Sequence, residues 1–334
     1  MIKKQHVFVY LCLIGISCYS PQKSPKKIRV SVWELYDMRT LPQENVWINT
    51  KEQPNGKDDD GNGFVDDVYG IGFDYWEQPT NHNYTPDYDT ENKVLLRYFH
   101  GTAVANIVVR NNPNVELVGV GFLKYVDRLN EPLWKKNLQE RLLGKPETDM
   151  ALLDKMFRTS VEYFKRHKVR VVNISWTAFP AFFEKFLKDL EIYSPENYQK
   201  MCYWTQLFHR TLYNIFKENP QIMFVIAAGN ENANIDSLFV VPAVIDLPNT
   251  ITVGGLDKSG TKKAHFSNYG EKVKVYATAI YDKLPIAPYR AVPMEGTSFA
   301  APVVTAYIAQ ELAKGKKFRE IKEDLFAKKY LISK

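Results

Sequence analysis

The sequence predicts an α/β fold with a mostly parallel central sheet and helices on both faces, a three-layer sandwich. Two observations carry this. Short β-branched apolar runs alternate along the chain with longer stretches of helical period, the pattern left by strand, crossover helix and parallel strand. No Pro/Gly/Ser-rich or low-complexity stretch divides the chain and no internal repeat is present, so the alternation belongs to one domain. The expected strands are Ile28 to Trp33, Val115 to Gly121, Val169 to Ile174, Met223 to Ala228, Ile251 to Val253 and Val273 to Ala277. The expected helices are Thr102 to Arg110, Met150 to Arg166, Tyr198 to Glu218 and Ser298 to Lys314. In such sheets functional groups collect where strands end at their carboxyl edge. His100, Asn230 and Ser298 all stand at such edges.

At 334 residues, 45% hydrophobic and 25% charged, the chain can bury a sizeable core. The net charge of +6 is spread along Lys-rich helical stretches such as Leu133 to Lys145 and Ala313 to Lys328, which argues against a nucleic-acid partner and for a monomer with solvated helix faces.

The N-terminus has the build of an export signal: Met1-Ile2-Lys3-Lys4, an apolar run from Val7 to Ile16, then Ser17-Cys18. Residues 1–18 are expected to be the signal, 19–27 a short linker and 28–334 the domain, with helical insertions near 126–147 and 179–203. Cys18 is a candidate for lipidation, giving a periplasmic, membrane-anchored or secreted bacterial protein. Without the signal, Cys202 remains as the one unmodified cysteine, so no intrachain disulfide is expected.

Three motifs carry chemistry. His100-Gly101-Thr102-Ala103-Val104-Ala105 presents an imidazole, a suitable proton acceptor near neutrality, just before an expected helix. Ala227-Ala228-Gly229-Asn230 places a carboxamide after a buried strand, with small residues ahead of it. Gly296-Thr297-Ser298-Phe299-Ala300-Ala301-Pro302 opens a helix with a hydroxyl, where free amides and the positive dipole end favour a developing anion. Together with Pro242-Ala243, Ile251 to Gly255 and Phe266 to Gly270, these motifs resemble the subtilisin-like serine peptidases over most of the chain.

The resemblance implies a serine endopeptidase that hydrolyses peptide bonds of a peptide or protein substrate through an acyl-enzyme. In it Ser298 is the nucleophile, His100 the base and Asn230 an oxyanion donor. The family places an acid at the end of the first strand. Here that position is Glu34, one methylene longer than the usual Asp, with Asp37 as the alternative and an acid-free site as a third reading. Asn106 stands where the family commonly has Gly. The segment Ser175-Trp176-Thr177 corresponds to the strand against which the substrate lies. Because the acid is substituted, the alternative function is an impaired pseudopeptidase that binds peptides or proteins.

Asp58-Asp59-Asp60-Gly61-Asn62-Gly63-Phe64-Val65-Asp66-Asp67 has oxygen ligands at alternate positions and Gly at the turn, the pattern of a loop that wraps a structural Ca2+. Asp58, Asp60, Asn62, the Phe64 carbonyl and Asp66 are the expected ligands, with Asp67 completing the shell.

Overall fold

The structure is a computed structural model that describes residues 27–73, 79–81, 95–121 and 131–333. The expected signal segment, Cys18 and the start of the first insertion lie outside the described residues.

After Lys27 the chain forms β1 (Ile28–Val32) and makes two 3-10 turns, Met38–Thr40 and Gln43–Asn45. The short strands β2 (Gly70–Phe73) and β3 (Pro79–Asn81) follow. Next come α1 (Leu95–Asn111), β4 (Val115–Leu117), β5 (Gly119–Gly121), α2 (Glu131–Leu143) and α3 (Pro146–Arg166). The middle of the chain holds β6 (Val171–Ile174), α4 (Pro180–Asp189), α5 (Pro195–Glu218), β7 (Met223–Ala227) and the single turn α6 (Ile235–Leu238). The last part holds β8 (Thr250–Leu256), β9 (Val275–Thr278), the hairpin β10 (Ile280–Ala287) and β11 (Arg290–Glu295), α7 (Thr297–Ala313), α8 (Phe318–Lys328) and β12 (Tyr330–Leu331).

The main sheet runs β12-β9-β8-β7-β6-β1-β4, and every pairing in it is parallel. Its strands are buried on both faces because their side chains alternate between two cores. In β7, Met223, Val225 and Ala227 join one core with α1 and α7. Phe224 and Ile226 join the other, with α3 and α5. Helix α7 is apolar nearly all round because it lies within the first core, with Ala300, Val304, Ile308 and Ala309 fully enclosed.

Several boundaries differ from the sequence expectations, each for a local reason. The run Val115 to Gly121 is two strands: the Val118 amide still donates to Val30, but Gly119–Gly121 pairs with β2 in a separate sheet. Helix α1 begins at Leu95, so His100 is presented from inside a helix rather than ahead of one. The hairpin β10–β11 carries Pro285 and Pro293 and two register shifts, which hide its alternation from a sequence reading. The second expected insertion, 179–203, covers α4 and the first turns of α5, and the described part of the first is mostly α2.

Candidate active site

The turn after β1 brings the acid to the imidazole. The Glu34 amide donates to the Val32 carbonyl at 2.8 Å, a three-residue turn that ends the strand without glycine. Glu34 Oε1 then lies 2.7 Å from His100 Nδ1. What allows this approach is Gly101: a Cβ there would stand 2.1 Å from the Leu35 carbonyl oxygen, so any side chain would push α1 away. Burial alone would lower the His100 pKa, but the negative charge of Glu34 and its hydrogen bond outweigh burial and raise it above the ordinary histidine value.

Asp37, the alternative acid, turns elsewhere. Its fully buried carboxylate accepts from the Arg39 amide, Nε and Nη2, each at 3.0 Å, and caps the 3-10 turn. The Asn106 side chain, where a glycine was expected, bridges α1 to that same turn by donating to Thr40 Oγ1 at 2.8 Å and to the Thr102 carbonyl at 2.9 Å.

Ser298 is the second residue of α7, and the ring of its neighbour Phe299 lies 5.5 Å from that of His100. The Ser298 hydroxyl donates to the Ser175 carbonyl at 3.1 Å, and the Ser175 hydroxyl donates to the Ser298 carbonyl at 2.8 Å. The second bond follows from Pro302. A proline four residues on has no N–H to offer the Ser298 carbonyl, and the hydroxyl at the end of β6 takes that place. Behind it Asn173 Nδ2 donates to Ser175 Oγ at 2.9 Å, and Thr305 Oγ1 donates to Asn173 Oδ1 at 3.1 Å, so α7 is tied to β6 through buried polar groups.

Asn230 is held from one end. Its Oδ1 accepts from the Thr297 amide at 2.8 Å and from Thr297 Oγ1 at 3.0 Å, and Thr297 Oγ1 in turn accepts from the Gly229 amide at 3.0 Å. With the oxygen so engaged, Nδ2 is the donor end of this exposed side chain. The loop is fixed from below by fully buried Asn268, which binds the Ala228 carbonyl and the amides of Glu231 and Ala233. Gly229 has φ of +98°, and a Cβ there would meet Asn268 Nδ2 at 2.4 Å.

Of the expected substrate segment, Ser175 exchanges hydrogen bonds with Ser298 and Thr177 is half-buried. Trp176 packs inward against Trp33, Phe157 and Phe208, and its Nε1 donates to the Trp33 carbonyl at 3.1 Å, which joins the two strand ends beside the site.

A carboxylate and an imidazole in hydrogen-bond contact, and a hydroxyl and a carboxamide on the neighbouring helix start and strand end, thus stand at the carboxyl edge of one parallel sheet. The family model described as "Subtilase family" matches residues 65–325. The chain belongs to the subtilase family. The match covers His100, Asn230 and Ser298 and begins after Glu34. Among curated proteins the subtilase is similar to "Subtilase-type proteinase RRT12" of Saccharomyces cerevisiae, 38% identical over 96 residues. That match spans 28% of this chain and 19% of the relative's length. Among solved structures it is similar to a lanthipeptide protease, with a TM-score of 0.50 and 15% identity over 89% of this chain and 78% of the other. A second is a cold-adapted subtilisin-like serine proteinase, with a TM-score of 0.45 and 18% identity over 90% and 81%.

The Asp-rich loop of this subtilase arranges its oxygens differently from the expected ligand series. Glu52, Asp58 and Asp60 bring carboxylate oxygens within 4.8 Å of one another. Glu52 precedes the loop and was not expected. Asp66 faces away, accepting from the amides of Asn55 and Gly56. Buried Asp67 accepts from Tyr163 at 2.6 Å and from the side chains of Asn62 and Asn49. Asn62 Oδ1 accepts from the Phe64 amide, and the Phe64 ring packs edge-on against Tyr163. Buried Glu52 Oε2 and Asp60 Oδ1 have no hydrogen-bond partner, so the converging oxygens fit a hard cation.

Proposed function

We propose that this subtilase is a serine endopeptidase acting through an acyl-enzyme on Ser298. His100 takes the Ser298 proton as Oγ attacks the scissile carbonyl, then gives that proton to the leaving amine. Glu34 holds Nδ1–H, which fixes the ring's tautomer and offsets the charge that forms on it. The oxyanion meets Asn230 Nδ2 and the free amide of Ser298 in the first turn of α7. Water, activated by His100 in the same way, releases the acyl group. The observation that carries this reading is the 2.7 Å contact of Glu34 with His100. The Ser298 hydroxyl must leave the Ser175 carbonyl, by rotation between staggered χ1 wells, before it attacks.

That resting hydrogen bond also favours a second reading, a pseudopeptidase that grips peptides in the same groove without turning them over. A fluorophosphonate separates the two. The endopeptidase forms a covalent adduct mapped to Ser298 that is absent in Ser298→Ala and slowed in His100→Ala. Native protein with no adduct at any pH belongs to the pseudopeptidase.

Two further features belong to the proposal. Glu52, Asp58 and Asp60 hold a structural Ca2+, a role supported by the convergence of their oxygens and by the unpartnered buried oxygens of Glu52 and Asp60. Added Ca2+ then raises the melting temperature, EGTA reverses it, and a flat response in both directions rejects the ion. The chain is exported and lipid-anchored at Cys18, to be read as an acyl mass increment on protein recovered from cells. Among the described residues no helix is long and apolar enough to cross a membrane.

A further inference from the structure

We infer that the face opposite the active site docks on an anionic lipid bilayer. Parallel strands put the catalytic groups at one edge and every strand start at the other, and at that other edge lies a cleft of about 860 Å3. Its lining includes Lys27, Arg29, Lys165, Lys168 and Arg170, with Glu116 as its carboxylate. These cations come from the approach to β1, from β1 itself, from the last turn of α3 and from the approach to β6. Arg29 pairs with Glu116, and Lys165 pairs with Glu162 beside the cleft. Five cations against those two carboxylates leave +3. Lys165, Lys168 and Arg170 are exposed.

A bilayer is the occupant that the path of the chain selects. Lys27 is both the first described residue and part of the cleft. Residues 19–27 therefore connect Cys18 directly to this face, and nine residues reach at most about 30 Å. This docking rests on the lipid-anchor reading above: a chain held at Cys18 keeps the cleft near headgroups, and fixed cations near an anionic bilayer add to the binding. Helix α7 runs from the nucleophile toward this edge, and its 17 residues span about 25 Å, so the catalytic cleft then faces away from the membrane.

The test uses the full chain carrying Cys18→Ala, so that no lipid contributes. It compares sedimentation with vesicles of phosphatidylcholine alone and of phosphatidylcholine with one third phosphatidylglycerol. The N-terminal apolar run acts equally on both, so the docking is read as the gain on the anionic vesicles. Lys27→Gln, Lys165→Gln and Lys168→Asn are then combined in that background; Asn suits the φ of +58° at Lys168. Each cation near such a surface changes partition by about fivefold, so the triple variant should lose roughly 100-fold of that gain. Its labelling at Ser298 should be unchanged, which reports an intact fold. Equal gains for parent and triple variant overturn the docking, as does equal binding of the parent to both vesicles. Tighter retention by duplex DNA than by anionic vesicles would reassign the face to nucleic acid. The acyl mass at Cys18 is read separately on cell-made protein, so loss of the anchor and loss of the docking are distinct results.

Discussion

At the scale of single residues, the site depends on a longer acid reaching its partner. An aspartate at 34 would withdraw the carboxylate by about a bond length, and displacements of about 1 Å cost roughly 100-fold in rate. Glu34→Asp is therefore expected to slow hydrolysis, measured as kcat/KM on a peptide substrate. Sequence alone makes Glu34 look like a poor substitute. The turn closed by its amide on Val32 makes Glu the residue that fits. Gly101→Ala makes the same point from the other side. Its methyl would enter the Leu35 carbonyl, tilt α1 and draw His100 off Glu34, with an expected loss of about 100-fold in kcat/KM. The usefulness of a glycine after the histidine was legible as a motif. Its reason was not, because the obstacle is a backbone atom 66 residues earlier.

At the scale of elements, α7 and β6 are joined by the exchange between Ser175 and Ser298. Ser175→Ala leaves the part-buried Ser298 carbonyl, already deprived of a helical partner by Pro302, without that donor. An unsatisfied buried group costs about 1–3 kcal/mol, and a part-buried one falls at the low end, about 1 kcal/mol. The expected outcome is a stability loss of that size in denaturant titration, together with reduced kcat. The parallel sheet and its order of functional edges were legible because doubly buried strands are apolar throughout. The β10–β11 hairpin was not, since prolines and bulges break its period. In the Asp-rich loop the residue types were legible and the geometry was not. Asp66 spends its oxygens on local amides, and Glu52 converges from outside the motif.

At the scale of the whole molecule, charge is organised by topology. The Lys-rich stretches of the sequence do not mark this edge; the fold gathers its five cations from residues 27–29 and 165–170. Stability should also respond to pH through His167, which is 8% exposed and packed between Trp47 and Tyr163. Burial lowers its pKa to about 4, so the buried ring is neutral near pH 7. Its contribution is present above the unfolded value of about 6.5 and is lost as pH falls through the folded value, because the unfolded chain binds the proton first. Melting temperature should fall between those limits, and His167→Phe should flatten that part of the curve.

The most direct test of the whole account is the pH dependence of Ser298 acylation by a fluorophosphonate, in the wild type and in Glu34→Gln. Glu34 raises the His100 pKa, so the wild-type rate should climb through a midpoint above about 6.5, where the imidazole loses its proton. In Glu34→Gln the midpoint should move down and the plateau should drop. Superimposable profiles for the two proteins, or no acylation of folded wild type at any pH, would contradict a site in which Glu34 orients His100 for Ser298.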